Sequence, residues 1–166
     1  MFFDILKELV ANYILLVPIF AWLVSQLFKF TIHSIVERRF CIERLFGDGG
    51  LPSGHSATVT SLACMCGWGC GFGSAIFAVS AMLAIVVMHD ATGVRREAGK
   101  QAVSIKLIAN TLNQLFLDED SQIRTGKLKE LVGHTPLQVA LGFLLGVIVA
   151  VSTILIAGIE YASMLI

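Results

Sequence analysis

The segment Gly49–Ser56, which contains the sequence Pro-Ser-Gly-His, is the first place where this chain could carry out chemistry. Glycines ahead of a helix let backbone N–H groups approach an oxyanion closely, and the N-terminus of a helix attracts phosphate. Ser53 or Ser56 can cap the helix and donate hydroxyl hydrogen bonds, and His55 is a candidate proton donor to a leaving oxygen. Proline and serine also start ordinary helices, so an interfacial histidine without a catalytic role explains the same residues.

A second polar cluster runs from His89 to Lys100 and contains an aspartate and two adjacent arginines. Asp90 ends an apolar stretch, where a carboxylate is costly without a partner, and we expect it to support the site. Arg95 and Arg96 offer forked donors that suit phosphate oxygens. Membrane-flanking cations with one aspartate–arginine pair explain much of this cluster, but they explain the adjacent histidine and aspartate poorly.

A third cluster surrounds His134, which stands two residues before Pro136, a favourable early position in a helix. Gln138 follows four residues after His134, so one face of the helix can present both side chains. Gln138 is thus predicted to orient His134 and to fix its tautomer through one ring nitrogen. Taken by itself, His134 is more simply explained as a histidine at the membrane interface.

The three clusters together contain the groups that phosphoryl transfer through a histidine requires. That reaction needs a nucleophilic imidazole, a second acid and fixed positive charge around three oxygens. It requires neither a metal nor another cofactor, and we expect none. Metal-dependent hydrolysis at His89, Asp90 and Glu97 is less favoured, because these residues do not follow a closed metal-ligand spacing.

The composition indicates which elements must position these residues. The chain is 56% hydrophobic and 14% charged, whereas soluble domains have about 25% charged residues. Uncharged stretches of 20, 33 and 25 residues lie between Glu8 and Lys29, between His55 and His89, and between His134 and Glu160. Because about 20 apolar residues cross a bilayer as a helix, we expect an all-α, polytopic membrane helix bundle. Residues 1–166 are expected to form a single integral membrane domain.

The longest uncharged stretch is predicted to be a helical hairpin. As one helix its 33 residues would be about 50 Å long, against a hydrocarbon core of roughly 30 Å. Gly67, Gly69, Gly71 and Gly73 cluster near its middle, and glycine at alternate positions disfavours a helix. Four membrane segments are therefore predicted at 8–29, 53–68, 73–91 and 134–159, with an amphipathic helix near 98–117.

A hairpin places the helix ends that carry Lys29, His55, Asp90 and His134 on one side of the membrane. The polar loops 30–52 and 92–133 lie on the same side. That side carries 11 of the 12 Lys and Arg residues, which predicts a cytoplasmic face in a bacterial cytoplasmic membrane. The expected partners are the membrane and a lipid phosphate substrate. The sequence is compatible with a homo-oligomer and does not decide the oligomeric state. A net charge of zero gives no argument for nucleic acid.

The helix end Gln26–Lys29 and three motifs in order give the chain a recognisable pattern; the motifs are Gly50–Ala57, Asp90–Arg96 and Leu128–Pro136. The pattern, which covers nearly the whole chain, resembles the divergent type 2 phosphatidic acid phosphatase family. That membrane group is related to acid phosphatases and vanadium-dependent haloperoxidases. The resemblance implies that His134 attacks the phosphorus and that His55 protonates the leaving group. It also implies that Lys29, Ser53 and Gly54 hold the phosphate.

Three features depart from the wider superfamily pattern. The superfamily places its lysine close to an Arg-Pro pair, whereas Lys29 is followed by Arg38-Arg39-Phe40, with a longer gap and no proline. Leu128 stands where an arginine is expected six residues before the second histidine, and Gln138 stands where an aspartate is expected four residues after it. The candidate replacements for the arginine are Arg39, Arg95 and Arg96. Two functions follow: a phosphatase that cleaves a lipid phosphate or pyrophosphate through a phosphohistidine, or a scaffold that binds an anionic lipid headgroup or a protein partner without hydrolysis. The complete Pro-Ser-Gly-His sequence favours the first function, and the altered third motif favours the second.

Overall fold

The computed structural model of the chain describes residues 1–38, 50–115, 123 and 133–163. These residues form helices and, within those ranges, no strand. The helices are α1 (Phe2–Ala11), α2 (Tyr13–Glu37), α3 (Gly54–Cys70), α4 (Ala75–Thr92), α5 (Val94–Leu115) and α6 (Pro136–Ser163). The predicted all-α class is confirmed.

The helices form a membrane bundle around α3. Among the described residues, three segments are long and apolar enough to cross a bilayer: Tyr13–Val36, Ala75–Leu115 and Pro136–Ala157. Helix α3 has 17 residues, fewer than the roughly 20 of a typical span, and it packs against α2, α4 and α6. Large apolar side chains face outward, as Ile148 does at 60% exposure, which suits contact with lipid. The chain is thus an integral membrane protein.

The first membrane segment differs from the predicted 8–29. Asn12 separates α1 from α2 and caps α2, because its side-chain oxygen accepts a hydrogen bond from the Leu15 N–H (3.1 Å). Helix α2 then continues to Glu37, so Lys29 lies inside the helix and not at its end. The prediction was wrong because a charge marks where the hydrocarbon ends, whereas no residue from Lys29 to Glu37 breaks a helix.

The predicted hairpin is confirmed between α3 and α4. Gly71 ends α3 with a φ of 89°, a conformation that glycine adopts without strain. Ser74 then starts α4 by accepting a hydrogen bond from the Phe77 N–H (3.1 Å). The aromatic ring of Phe72 packs against Gly67 and meets Phe77 edge-to-face, with ring centres 5.1 Å apart. The polar ends of α3 and α4 consequently lie at the opposite end of the hairpin.

Two glycines on α6 allow that helix to approach α3 closely. A Cβ atom at Gly142 would overlap the carbonyl oxygen of Ser53 and lie 2.9 Å from Ser56 Cβ. One turn later, a Cβ atom at Gly146 would lie 2.9 Å from Thr60 Cβ. Small residues four apart let membrane helices pack backbone against backbone. This contact, which the sequence analysis did not single out, sets the N-terminal ends of α3 and α6 side by side.

Candidate functional site

The start of α3 is fixed by hydrogen bonds to its own first turn and to α6. The Ser53 hydroxyl oxygen caps the helix by accepting from the Ser56 N–H (3.3 Å), and it also accepts from the Ser56 hydroxyl (3.0 Å). The Ser53 N–H donates to the Gln138 carbonyl oxygen (3.0 Å). Ser53 is fully buried, and its hydrogen bonds fix the backbone turn from which His55 extends.

Lys29 reaches this turn from α2. Its side chain is 6% exposed, and its carbon stem lies beside Gly50, where a Cβ atom would be 3.6 Å from Lys29 Cγ. A Cβ atom at Gly54 would lie 3.5 Å from Lys29 Nζ and 3.0 Å from Ser25 Oγ. The ammonium group of Lys29 therefore lies beside the first turn of α3. A cation and a helix N-terminus meet here, and each of them attracts an anion.

His134 is held by α4 and α5. Its backbone N–H donates to the Ala91 carbonyl oxygen (3.0 Å), which ties it to the last turn of α4. The preceding residue, Gly133, lies directly against the backbone of Arg95 and Arg96, and a Cβ atom there would overlap the Cα atom of Arg96. His134 itself is 4% exposed. Its position thus depends on backbone contacts with the α4–α5 junction.

The two histidines predicted to act together lie in one cavity. Their rings meet edge-to-face, with centres 6.0 Å apart and planes 85° apart. The cavity has a volume of about 180 Å³. Its walls are His55, Val86, Val87, Asp90, Ala91, Arg95, Gly133 and His134. Three of the predicted polar clusters, from α3, from α4 with α5, and from the segment before α6, are therefore brought together.

Arg95 and Arg96 occupy different surroundings. Arg95 lines the cavity, and its Nε donates to Asp90 Oδ2 at 2.6 Å, with both side chains partly exposed. Arg96 is exposed, and its contribution near the site is the backbone on which Gly133 packs. Arg39 and Leu128 lie outside the residues that the structure describes. Of the arginines predicted to hold phosphate, Arg95 is thus the one that the described structure places on the cavity wall.

Gln138 takes part in the start of α6. Its side-chain oxygen accepts from the Thr135 N–H (2.8 Å), and the Thr135 hydroxyl oxygen accepts from the Gln138 N–H (3.3 Å). This reciprocal pair is a capping box, in which each residue satisfies a free N–H group of the first turn. The orienting action of Gln138 on His134 stays a prediction, and the cap shows that the amide also has a local structural part.

Sequence reasoning missed the residues that bring the clusters together. The sequence analysis did not single out the apolar wall residues Val86 and Val87, and Gly133 appeared there only within the motif Leu128–Pro136. The spacing of Gly142 and Gly146 was the one available signal, because small residues four apart are typical of close helix contacts in membranes.

Comparison with known proteins identifies the family of the chain. The family described as the Divergent PAP2 family matches residues 10–149 of the chain. A protein of Bacillus subtilis (strain 168), described as the uncharacterized membrane protein YuiD, is 39% identical over 148 residues, which cover 85% of this chain and 93% of the relative. No solved structure gives a significant match. With a family match over most of its length and a relative this similar, the chain belongs to the divergent PAP2 family of membrane proteins.

Proposed function

We propose that this protein is a metal-independent phosphatase that cleaves a lipid phosphate or pyrophosphate through a phosphohistidine at His134. The observation that carries the proposal is that the His55 and His134 rings line one small cavity and meet edge-to-face, with centres 6.0 Å apart. Two imidazoles that lie this close can both reach one phosphate, His134 to attack the phosphorus and His55 to protonate the leaving oxygen.

In the first step, a ring nitrogen of His134 attacks the phosphorus and the bond from phosphorus to the lipid oxygen breaks. His55 donates a proton to that oxygen, so the lipid leaves as an alcohol, or as a monophosphate when the substrate is a pyrophosphate. In the second step, water attacks the phosphohistidine and gives its proton to His55. Inorganic phosphate leaves, and both imidazoles return to their starting state.

Positive charge around the phosphoryl oxygens supports the same chemistry. Arg95 stands on the cavity wall, and Lys29 approaches the turn that precedes His55. A guanidinium can bind two phosphoryl oxygens at once, and the fixed charge stabilises the transition state more than the ground state. These side chains supply the charge that the proposed reaction needs.

We place the protein in a bacterial cytoplasmic membrane with its site facing the cytoplasm. The support is the concentration of lysine and arginine in the polar segments 30–52 and 92–133 of the sequence, which the positive-inside tendency assigns to the cytoplasm. A relative from a bacterium is consistent with this location.

The experiment is phosphate release from lipid phosphates by purified protein in nanodiscs. His134→Ala is expected to reduce release to the background rate. His55→Ala is expected to reduce it by about 10²–10⁴-fold, the contribution of a general acid. His89→Ala is the matched control, because His89 is exposed near the end of α4 and is not among the cavity-lining residues. Wild-type rates in the His134 variant would refute the mechanism.

A second function is favoured by one observation. The Gln138 amide, which stands where the superfamily has a carboxylate, accepts a hydrogen bond from the Thr135 backbone and cannot supply negative charge to an imidazolium. In this alternative the cavity binds an anionic lipid headgroup, or the protein binds a partner, without hydrolysis. Saturable headgroup binding without phosphate release from any lipid phosphate would favour this function over the phosphatase.

A further inference from the structure

Helix α5 has one apolar face that is open to its surroundings. At about 100° per residue, four exposed apolar side chains fall on this face. They are Val94, Ile105, Ile108 and Leu115. Most of the remaining surface of the helix carries charged, amide and hydroxyl side chains. In the part of the chain that the structure describes, α4 is the helix with which α5 makes more than slight contact, so the bundle leaves this apolar face uncovered.

Helix α5 begins at the boundary of the membrane. The segment Ala75–Leu115 has 41 residues, which as a helix is about 60 Å long, twice a hydrocarbon core of roughly 30 Å. Helix α4, with 18 residues and about 27 Å, accounts for the crossing. Gly93 separates the two helices with φ of −99° and ψ of −99°, outside the α-helical region, so α5 is not a regular continuation of α4. The apolar face of α5 therefore starts level with the interface between lipid and water.

The charge on α5 has mainly one sign. The helix contains four cationic residues and one acidic residue, a net charge of +3, whereas the whole chain has a net charge of zero. Lys100 and Lys106 flank the apolar face on either side. Lysine lays its carbon stem along an apolar surface and extends its charge into water. A cationic helix with an apolar face is typical of helices that lie on anionic membranes.

The first turn of α5 is also part of the histidine site. Arg95 lines the cavity, and the backbone of Arg95 and Arg96 packs against Gly133, directly before His134. The depth at which α5 lies in the membrane therefore sets the depth of one cavity wall and of the segment that carries His134.

We propose that α5 lies along the membrane surface, with its apolar face at the boundary of the acyl chains and its cations on anionic phospholipid headgroups. The proposal names a lipid surface and not a substrate, and it does not depend on the phosphatase function. An anionic membrane is favoured over a second protein because α5 directly follows a helix that crosses the membrane, and because its charge complements that of the headgroups. In this position α5 holds the histidine cavity level with the headgroups.

The first test measures the depth of two adjacent residues of α5 in nanodiscs of phosphatidylcholine and phosphatidylglycerol. Spin labels are attached to Ile108→Cys and, as the matched control, to Leu107→Cys, in a background whose native cysteines are replaced by serine. Both native side chains are exposed, at 58% and 67%, but Leu107 lies off the apolar face. Electron paramagnetic resonance compares collisions of each label with oxygen, which concentrates in lipid, and with a water-soluble nickel complex.

The label at position 108 is expected about 5–10 Å into the boundary between headgroups and acyl chains, and the label at position 107 is expected in water. Equal depths at the two positions would overturn the proposal, because α5 would then lie wholly in water or wholly in lipid. Exclusion of both reagents from position 108 would also overturn it, because a protein surface would then cover the apolar face.

The second test varies the charge of the lipid. In discs of phosphatidylcholine alone, the label at position 108 should become more accessible to the nickel complex. Each lysine at the surface strengthens the attraction to anionic lipid by about fivefold, so Lys100→Gln with Lys106→Gln should give the same increase in discs with phosphatidylglycerol. Lys7→Gln is the matched control, because Lys7 is an exposed lysine of α1, and it should give no change.

A depth of position 108 that does not respond to lipid charge would overturn the assignment of anionic phospholipid as the partner of α5. Both tests are read without phosphate release. A failure of the phosphatase proposal would therefore leave their outcome unchanged, and a failure of this proposal would leave the phosphatase assay unchanged.

Discussion

At the scale of single residues, the pair of Asp90 and Arg95 decides how the site can hold a phosphate. Because both side chains are partly exposed, their ion pair at 2.6 Å contributes only about 0.2–1 kcal/mol to folding. The ion pair therefore matters mainly for position, because Asp90 holds the guanidinium of Arg95 on the cavity wall. When a phosphate enters, the guanidinium can exchange the carboxylate for phosphoryl oxygens, with which it forms equally strong charge-assisted hydrogen bonds.

Arg95→Met is predicted to lower kcat/KM for dodecyl phosphate by about tenfold to a hundredfold, the loss expected for one charge-assisted hydrogen bond. Arg95→Lys should recover part of that loss, since it keeps the charge without the fork. Arg96→Met is the matched control, because Arg96 is exposed and is not among the cavity-lining residues. Phosphate release measured across substrate concentrations gives kcat/KM for each variant. Equal losses in the Arg95 and Arg96 methionine variants would contradict this assignment.

At the scale of the helices, the α3–α6 contact through Gly142 acts with the α4–α5 contacts of His134 to hold the two histidine motifs together. Gly142→Ala is predicted to destabilise the protein by about 1–3 kcal/mol, because the new methyl group collides with the backbone of Ser53. Gly73→Ala, in the hairpin turn, is the control: a Cβ atom there meets nothing within 4 Å. The apparent melting temperature in detergent reports the difference, and an equal change in both variants would contradict the packing argument.

The same substitution is expected to reduce phosphate release more than stability alone explains. Moving α6 away from α3 shifts the segment that carries His134 relative to His55, and a displacement of about 1 Å can cost a hundredfold in rate. Release is measured well below the melting temperature of the variant, where the folded fraction is close to one. A wild-type rate under those conditions would show that the site tolerates the movement.

The helices also show which parts of the structure could be predicted from the sequence. Charge-free stretches predicted the membrane helices, and the glycines after Cys66 predicted the hairpin, because burial of charge and helix propensity are local properties. The true start of α2 at Tyr13 was missed, since one asparagine cap between apolar residues resembles a continuous span. The sequence also could not predict that Lys29 packs beside Gly50 and Gly54, because this contact depends on how α2 and α3 approach each other.

At the scale of the whole molecule, the distribution of charge predicts which way the site faces. Helices α3 and α4 have 17 and 18 residues, about 26–27 Å each, so the hairpin turn and the histidine cavity lie at opposite ends of the bundle. The polar segments 30–52 and 92–133 of the sequence contain 10 of the 12 lysine and arginine residues, and the positive-inside tendency predicts that such segments are cytoplasmic. The cavity would then draw its substrate from the inner leaflet.

Two single-cysteine variants in a background with the other cysteines replaced by serine test this orientation. The first keeps Cys70, which is exposed at the hairpin end, and the second carries His89→Cys at the site end. A membrane-impermeant maleimide added to intact cells should label Cys70 at once, whereas the site-end cysteine should react only after the membrane is permeabilised. The reverse pattern would place the cavity outside the cell and direct the search for its substrate to outer-leaflet lipid phosphates.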